Sequence, residues 1–238
     1  MPKFSARSTE IEIMDDLHCA GEVVHQTLRE LEFINKWLGG NAVTITALEQ
    51  LLKDWPANET ITIVDLGCGG GDMLRIIHHW AAKKGLSVRL FGIDANPHII
   101  AFARKNLQHL AEIEFSALDI FSEEFKNLRF DVVLGTLFYH HFTDDQLSTF
   151  FSNLRNQARK GIIINDIHRH PVAYYSIKWL TVLFSRSSMV KFDAPLSVLR
   201  AFTKEEVVRI LKNAGIDDFQ LRWKWAFRWR VVVSTTRK

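Results

Sequence analysis

Cysteine is almost absent: Cys19 and Cys68 are the whole complement. Two thiols cannot build the disulfide framework of a small secreted scaffold, and they fit a reducing compartment. Nor does one sign of charge dominate. Thirty Lys and Arg against 27 Asp and Glu leave a formal charge of +3, which does not mark the chain as a whole as a nucleic-acid binder. No apolar run reaches the length that spans a bilayer. Met1 to Asp16 alternates charged with apolar residues instead of forming a signal-peptide pattern. The expectation is a soluble, cytoplasmic chain. With 238 residues, 47% apolar content, seventeen Phe and seven Trp, a large core is available. One domain with an elaboration fits this length better than two independent ones.

The most informative stretch is residues 61–72. The β-branched run Ile61 to Val64 reads as a buried strand, followed by Asp65 and a loop holding Gly67, Gly69, Gly70 and Gly71. Asp72 is placed to cap a helix through Met73, Leu74, Ile76, Ile77 and Trp80, which Gly85 stops. Strand, glycine loop and helix open an α/β sheet, a fold that binds ligands beyond the carboxyl ends of its strands. The spacing excludes two ligand classes. A dinucleotide fingerprint counted from Gly67 puts its third glycine at Asp72; counted from Gly69, it puts that glycine at Leu74. No Gly-Lys-Ser/Thr follows, so this is no Walker loop either. Asp65, two residues ahead of the first glycine, suits a ligand end that is positively charged or donates hydrogen bonds.

Further strands are expected at 88–93, 113–117, 130–135 and 161–166, each apolar and each running into polar residues. Asp94 ends the second, with Asn96 and Pro97 as cap and first residue of the next helix. A carboxylate there can accept both hydroxyl protons of a ribose. Asp119 follows the third strand, where it is either a ligand contact or the start of a turn. The fourth leads into Thr136-Leu137-Phe138-Tyr139-His140-His141-Phe142, and Thr143 with Gln146 makes a capping box. An imidazole, with an ordinary pKa near 6.5, can remove a phenolic proton, so His140 or His141 is a candidate base; orienting or packing roles remain open. The fifth strand is followed by His168-Arg169-His170-Pro171 and a nearly wholly apolar helix from Val172 to Phe184. That helix is a core element, a wall of a hydrophobic pocket, or a surface resting on membrane.

Elsewhere, Pro2 to Arg7 reads as a loose arm and 20–52 as two helices broken near Trp37-Leu38-Gly39-Gly40. Residues 185–199 read as a loop-rich insertion. From Phe219 the chain alternates, so two strands with a bend near Ala226 are expected. Their rings would lie on one face, with Arg222, Lys224, Arg228 and Arg230 toward water. A basic aromatic ladder could be a nucleic-acid platform, but rings and charges on opposite faces argue for ordinary packing.

Asp-Leu-Gly-Cys-Gly-x-Gly-Asp at 65–72 resembles the first motif of class I S-adenosylmethionine-dependent methyltransferases. The likeness extends from about residue 60 to the end. Bacterial groups linked to polyketide or quinone-type secondary metabolism are similar through Trp-Leu-Gly-Gly, Phe-Tyr-His-His-Phe and Pro-Leu-Ser-Val-x-Arg-Ala-Phe-Thr. The resemblance implies a Rossmann-like α/β fold: a seven-stranded, mostly parallel sheet with a final antiparallel strand, helices on both faces, and an N-terminal helical cap. The cap would take 1–58 and the methyltransferase domain 59–238, with a helical insertion at about 171–200. It also implies S-adenosylmethionine held by Asp65, Gly67, Cys68, Gly69, Gly71, Asp72, Asp94, Ala95 and Thr136. Asp119 and Ile120 would meet the adenine, and Trp37 would act as a lid.

His140, His141 and His168 are the candidate catalytic residues, with Phe138, Tyr139, Arg169 and Tyr174 facing a small, aromatic and hydrophobic acceptor. No metal is expected. The Asn/Asp-Pro-Pro-aromatic stretch of base-amine methyltransferases is missing after the fourth strand. O-methylation of a phenol or quinol is the first expectation and C-methylation the second. A nucleic-acid or protein methyltransferase, or a non-catalytic binder of the cofactor, is the alternative. No transmembrane segment is expected; peripheral membrane contact stays open, and oligomeric state is not legible.

Overall fold

The computed structural model describes residues 3–56 and 58–235. Two helices, α1 (Glu22–Trp37) and α2 (Gly40–Leu51), precede the first strand, and Gly39 at φ +73° turns the chain between them. The sheet strands are β1 (Ile61–Leu66), β2 (Val88–Asp94), β3 (Ile113–Ala117), β4 (Phe130–Thr136), β5 (Ala158–Ile167), β6 (Phe219–Lys224) and β7 (Arg228–Ser234). Helices α3 (Asp72–Lys84), α4 (Pro97–Asn106), the single turn α5 (Glu123–Lys126) and α6 (Asp144–Gln157) connect the first five strands. After β5 come α7 (Pro171–Phe184), α8 (Ser188–Arg200) and α9 (Lys204–Asn213).

Strand order is β3-β2-β1-β4-β5-β7-β6. Pairings are parallel except those of β7, which runs antiparallel to β5 and β6. The order reverses between β1 and β4, and such a switch point opens a crevice beyond the strands' carboxyl ends. Both faces are covered. Val64, Leu66 and Val133 pack under α6 and α9, while Ile61, Ile63, Val132 and Leu134 pack under α2 and α3. This double burial explains why the strands read as unbroken apolar runs.

Three expectations about the periphery change. Residues 185–199 are not a loop but almost entirely α8, which starts on the Ser187 side chain capping Val190 N and buries Met189, Val190, Leu196 and Val198. The arm at 3–7 is pinned, not loose: Arg7 donates to Asp144, His140 O and Arg200 O (Pro2 lies outside the described residues). The terminal strands do not separate rings from charges. Arg228 and Arg230 are 4% and 5% exposed, whereas Trp223 and Trp225 are 45% and 68% exposed. Since β7 lies inside the sheet, both of its faces are covered, and a period-two pattern cannot register that.

The apolar helix α7 is likewise no core helix. Ala173, Tyr174 and Thr181 are buried, yet Val172, Tyr175, Trp179, Val182, Leu183 and Phe184 are exposed. Among the described residues no helix is long and apolar enough to cross a membrane.

Candidate active site

Beyond the ends of β1, β2, β4 and β5 lies a cavity of about 1050 Å³. That is at the upper end of the roughly 300–1,000 Å³ usual for small-molecule sites, leaving room for two ligands. Its floor is the glycine loop. Gly67 takes φ +65°, and a Cβ there would stand 2.1 Å from the Phe138 ring; only glycine fits that turn. Gly71 (φ +79°) performs the same service against Leu107 and Phe115 and forms no part of the cavity wall.

Asp65, Asp72, Asp94 and Asp119 all line this cavity, as do Cys68, Gly69, Ala95, Ile120 and Thr136. Register explains the convergence: Asp65 pairs with Gly92 and Leu134, and Asp94 with Ala117, so the acids cluster where adjacent parallel strands end. Asp94 accepts from Asn96 N at 3.0 Å and Gly69 N at 3.4 Å, and Asp119 accepts from Phe121 N at 2.9 Å. Among the described residues none of the four forms an ion pair. Burial, then the neighbouring Asp72 and Asp94, pushes the Asp65 carboxyl well up. Burial and Glu32 raise Asp72 to about 6, and burial raises Asp94. Crowded acids with no ion-pair partner make a receptor for a cationic ligand.

This has a pH consequence. An acid whose folded pKa is raised stabilises the free protein at low pH, and that contribution is lost as pH rises through about 6 for Asp72. A cation that requires ionised carboxylates must displace those protons in acid. S-adenosylhomocysteine, whose ammonium supplies such a cation, is therefore expected to raise the melting temperature more at pH 7.5 than at pH 5. Its Kd should weaken roughly tenfold per pH unit for each proton displaced below pH 6; calorimetry across that range is the check.

His140, also in the cavity lining, belongs to a hydrogen-bonded dyad. Asp166, at the end of β5, accepts from His140 N at 3.2 Å and meets His140 Nδ1 at 2.7 Å. Burial pushes the Asp166 carboxyl up, but the His140 contacts outweigh it and hold it low. His140 is 2% exposed, and its Nε2 has no hydrogen-bond partner. That nitrogen lies 3.7 Å from Glu12 Oε1, which is also unpartnered. Burial pushes Glu12 up to about 7. His141 Nδ1 pairs with Asp15 at 2.6 Å, and Arg200 grips both Asp15 and the His141 carbonyl. The carboxylate fixes the His140 ring and leaves Nε2 free of hydrogen bonds, buried beside Glu12 within the cavity lining; an oriented ring with one free nitrogen is what a general base needs. Glu12, His140 and His141 also bring ligand-capable atoms within 4.8 Å of one another.

The N-terminal segment and α1 roof the cavity. Asp193 of α8 accepts Ile13 N and Met14 N. Glu30 accepts Arg186 N and Ser187 N, and Thr27 meets Ser187 at 2.8 Å. Ala173, Ser176, Ile177 and Leu180 of α7 supply an apolar wall beside Phe138 and Phe142.

Several expected site residues lie elsewhere. Trp37 is 71% exposed and packs on Phe33, outside the cavity, because α1 turns its neighbours Asn35 and Leu38 inward instead. Tyr139 is buried among Phe138, Phe150 and Phe151, its ring against Gly135. Arg169 makes a bidentate pair with Glu206 and donates to Ala201 O, tying β5 to α9. Tyr174 is buried and accepts from Lys3 Nζ at 2.6 Å. His168 lies against Trp229 and His170, and burial lowers its pKa. Conversely, Glu12, Asp15, Asn35, Asp166, Arg200 and Arg228 line or support the cavity without having been expected there. Asp166, in the Asn-Asp that ends strand five, was the one with a readable signal.

The comparisons agree with this geometry. Residues 63–161 match the family described as methyltransferase domain. Residues 63–161 therefore form a methyltransferase domain, and the sheet around them has the class I, Rossmann-like methyltransferase fold. A relative is the carboxy-S-adenosyl-L-methionine synthase of Campylobacter hominis, 27% identical over 178 residues, 71% of this chain and 74% of the relative. Human N-acetylserotonin methyltransferase, solved with S-adenosylmethionine, superimposes with a TM-score of 0.62 at 18% identity. That match covers 90% of this chain but only 56% of the human one, so the chain spans little more than half that protein. The plantazolicin methyltransferase BpumL, solved with S-adenosylhomocysteine, gives a TM-score of 0.63 at 16% identity, covering 91% of this chain and all of that one.

Proposed function

We propose that the protein transfers the methyl group of S-adenosylmethionine to a small hydrophobic acceptor bearing an ionisable hydroxyl, a phenol or quinol, with His140 as base. The observation that carries this reading is one cavity lined both by carboxylates without ion-pair partners and by an Asp166-oriented imidazole.

The residues present suit the cofactor. Asp65 and Asp72 would hold its ammonium, Asp94 the ribose hydroxyls, and Asp119 with the Ile120 amide the adenine. When bound, S-adenosylmethionine would supply an electrophilic methyl carbon and depart as S-adenosylhomocysteine. His140 Nε2 would take the acceptor's hydroxyl proton and pass it to solvent, and Asp166 would stabilise the imidazolium. The apolar α7 wall excludes water and aligns the partners, which can account for roughly 7–11 kcal/mol of barrier. Residues 1–58 serve as cap and 59–238 as the catalytic domain.

The test is incubation with methyl-labelled S-adenosylmethionine and a panel of phenols and quinols. Label on an acceptor oxygen is expected; label on ring carbon would move the reading to C-methylation. The similarity to a carboxy-S-adenosyl-L-methionine synthase favours a second reading, in which the cofactor itself is altered. Label retained on the sulfonium while cofactor mass changes would establish it.

A further inference from the structure

Among the described residues four arginines are buried, and three have an evident anchor. Arg169 is held by Glu206, Arg200 by Asp15, and Arg230 by Thr46 and Gln50. Arg228 differs. Its Nε is unpartnered, as is that of Arg230, but among the described residues its one side-chain hydrogen bond is a long one of 3.5 Å from Nη1 to Asn165 Oδ1, and it forms no ion pair. A guanidinium has five N–H donors, and leaving it buried with so little met is costly. It lines the cavity, within the electrostatic reach of Asp166.

Two further features converge on the same spot. A Cβ on Gly40, the first residue of α2, would stand 2.8 Å from Arg228 Cζ and Nη2, so the guanidinium rests directly on that helix start. The helix runs twelve residues, and its N-cap, Gly39, contributes no side-chain hydrogen bond, so the amides there keep their pull on an anion. Asn165 and Thr44 fix this corner: Asn165 Nδ2 donates to Gly40 O and to Thr44 Oγ1, both at 2.9 Å.

We infer that Arg228, together with the start of α2, is a carboxylate-binding site within the cavity. A planar guanidinium matches a carboxylate in two parallel hydrogen bonds. The inference rests on the proposed function for its two possible sources: the methionyl carboxylate of the cofactor, or an acid group on the acceptor. The second would make the acceptor a hydrophobic aromatic acid.

The experiment uses the full chain and the variants R228Q and R228K. Calorimetry measures S-adenosylhomocysteine and 5′-methylthioadenosine, which lacks the amino-acid end. Thermal shift measures benzoate against benzamide with S-adenosylhomocysteine saturating. If the cofactor is the source, R228Q loses at least tenfold in S-adenosylhomocysteine affinity with 5′-methylthioadenosine unchanged. If the acceptor is the source, S-adenosylhomocysteine binds R228Q normally, and benzoate stabilises the parent over benzamide but not R228Q. R228K, which keeps the charge without the fork, falls between in either case and serves as the reporter should R228Q not fold. Unchanged S-adenosylhomocysteine affinity together with no benzoate preference sensitive to residue 228 overturns the site. A parent that fails to bind S-adenosylhomocysteine overturns the methyltransferase reading instead, and benzoate against benzamide without nucleoside, on the parent and R228Q, still decides this one.

Discussion

His140→Gln is expected to lower kcat by about 10²–10⁴-fold, the usual worth of a positioned general base, while S-adenosylhomocysteine affinity stays at the parent's value. The separation follows from position. His140 is held by the Asp166 carboxylate at 2.7 Å, and among the described residues no hydrogen bond joins that pair to Asp65, Asp72, Asp94 or Asp119. Asp166→Asn should show a related loss, because an amide no longer dictates which ring nitrogen carries the proton. The acid limb of the pH–rate profile, where an imidazole base is lost to protonation, should vanish in His140→Gln. His141→Gln is the control: its Nδ1 is tied to Asp15 outside the dyad, and a much smaller loss is expected. Equal losses at both positions would indicate that the pair merely supports the cavity wall. An unchanged kcat in His140→Gln would remove the base from the mechanism.

The second large effect belongs to Asp94. Replacing it with alanine should weaken cofactor binding by at least about a hundredfold. Two hydrogen bonds to a charged acceptor are worth about 1.5–3 kcal/mol each, and every 1.4 kcal/mol is tenfold in affinity. Asp94 also accepts from Asn96 N and Gly69 N, so part of the loss reflects a loosened glycine loop. Asp94→Asn separates the two. It keeps an acceptor for one of those amides yet loses the charge, and should recover only part of the affinity. Calorimetry on both variants, with melting temperature as the folding control, measures this. An Asp94→Ala variant that binds as the parent does would remove the ribose contact from the account.

The fold was largely legible because its signals are local. Ile61 to Val64, Val88 to Ile93 and Gly161 to Asp166 are apolar runs covered on both faces, and each ends in acids that parallel register brings together. The capping signals at Asn96 and Thr143 correspond to observed helix starts. What escaped is set by tertiary partners. Glu12 and Asp15 reach the site only because Asp193 of α8, some 180 residues along the chain, holds the Ile13 and Met14 amides. The same holds for Arg228: a strand at the sheet's edge would have turned it to water, whereas β7 sits between β5 and β6. Trp37 and Tyr139 show the converse error. A large ring beside a glycine pair or a strand end looks functional in a string, but which way it points depends on packing that spacing does not encode.

Everything depends on the acids at the ends of β1, β2 and β3 holding a cationic nucleoside. The most direct measurement is a calorimetric titration of the unaltered chain with S-adenosylmethionine at pH 7.5. The account predicts one site per chain and a Kd within roughly 1 μM–1 mM, the span typical of enzyme–substrate affinities, tightening from pH 5 to pH 7.5. No detectable binding, or binding that does not change over that interval, would contradict it.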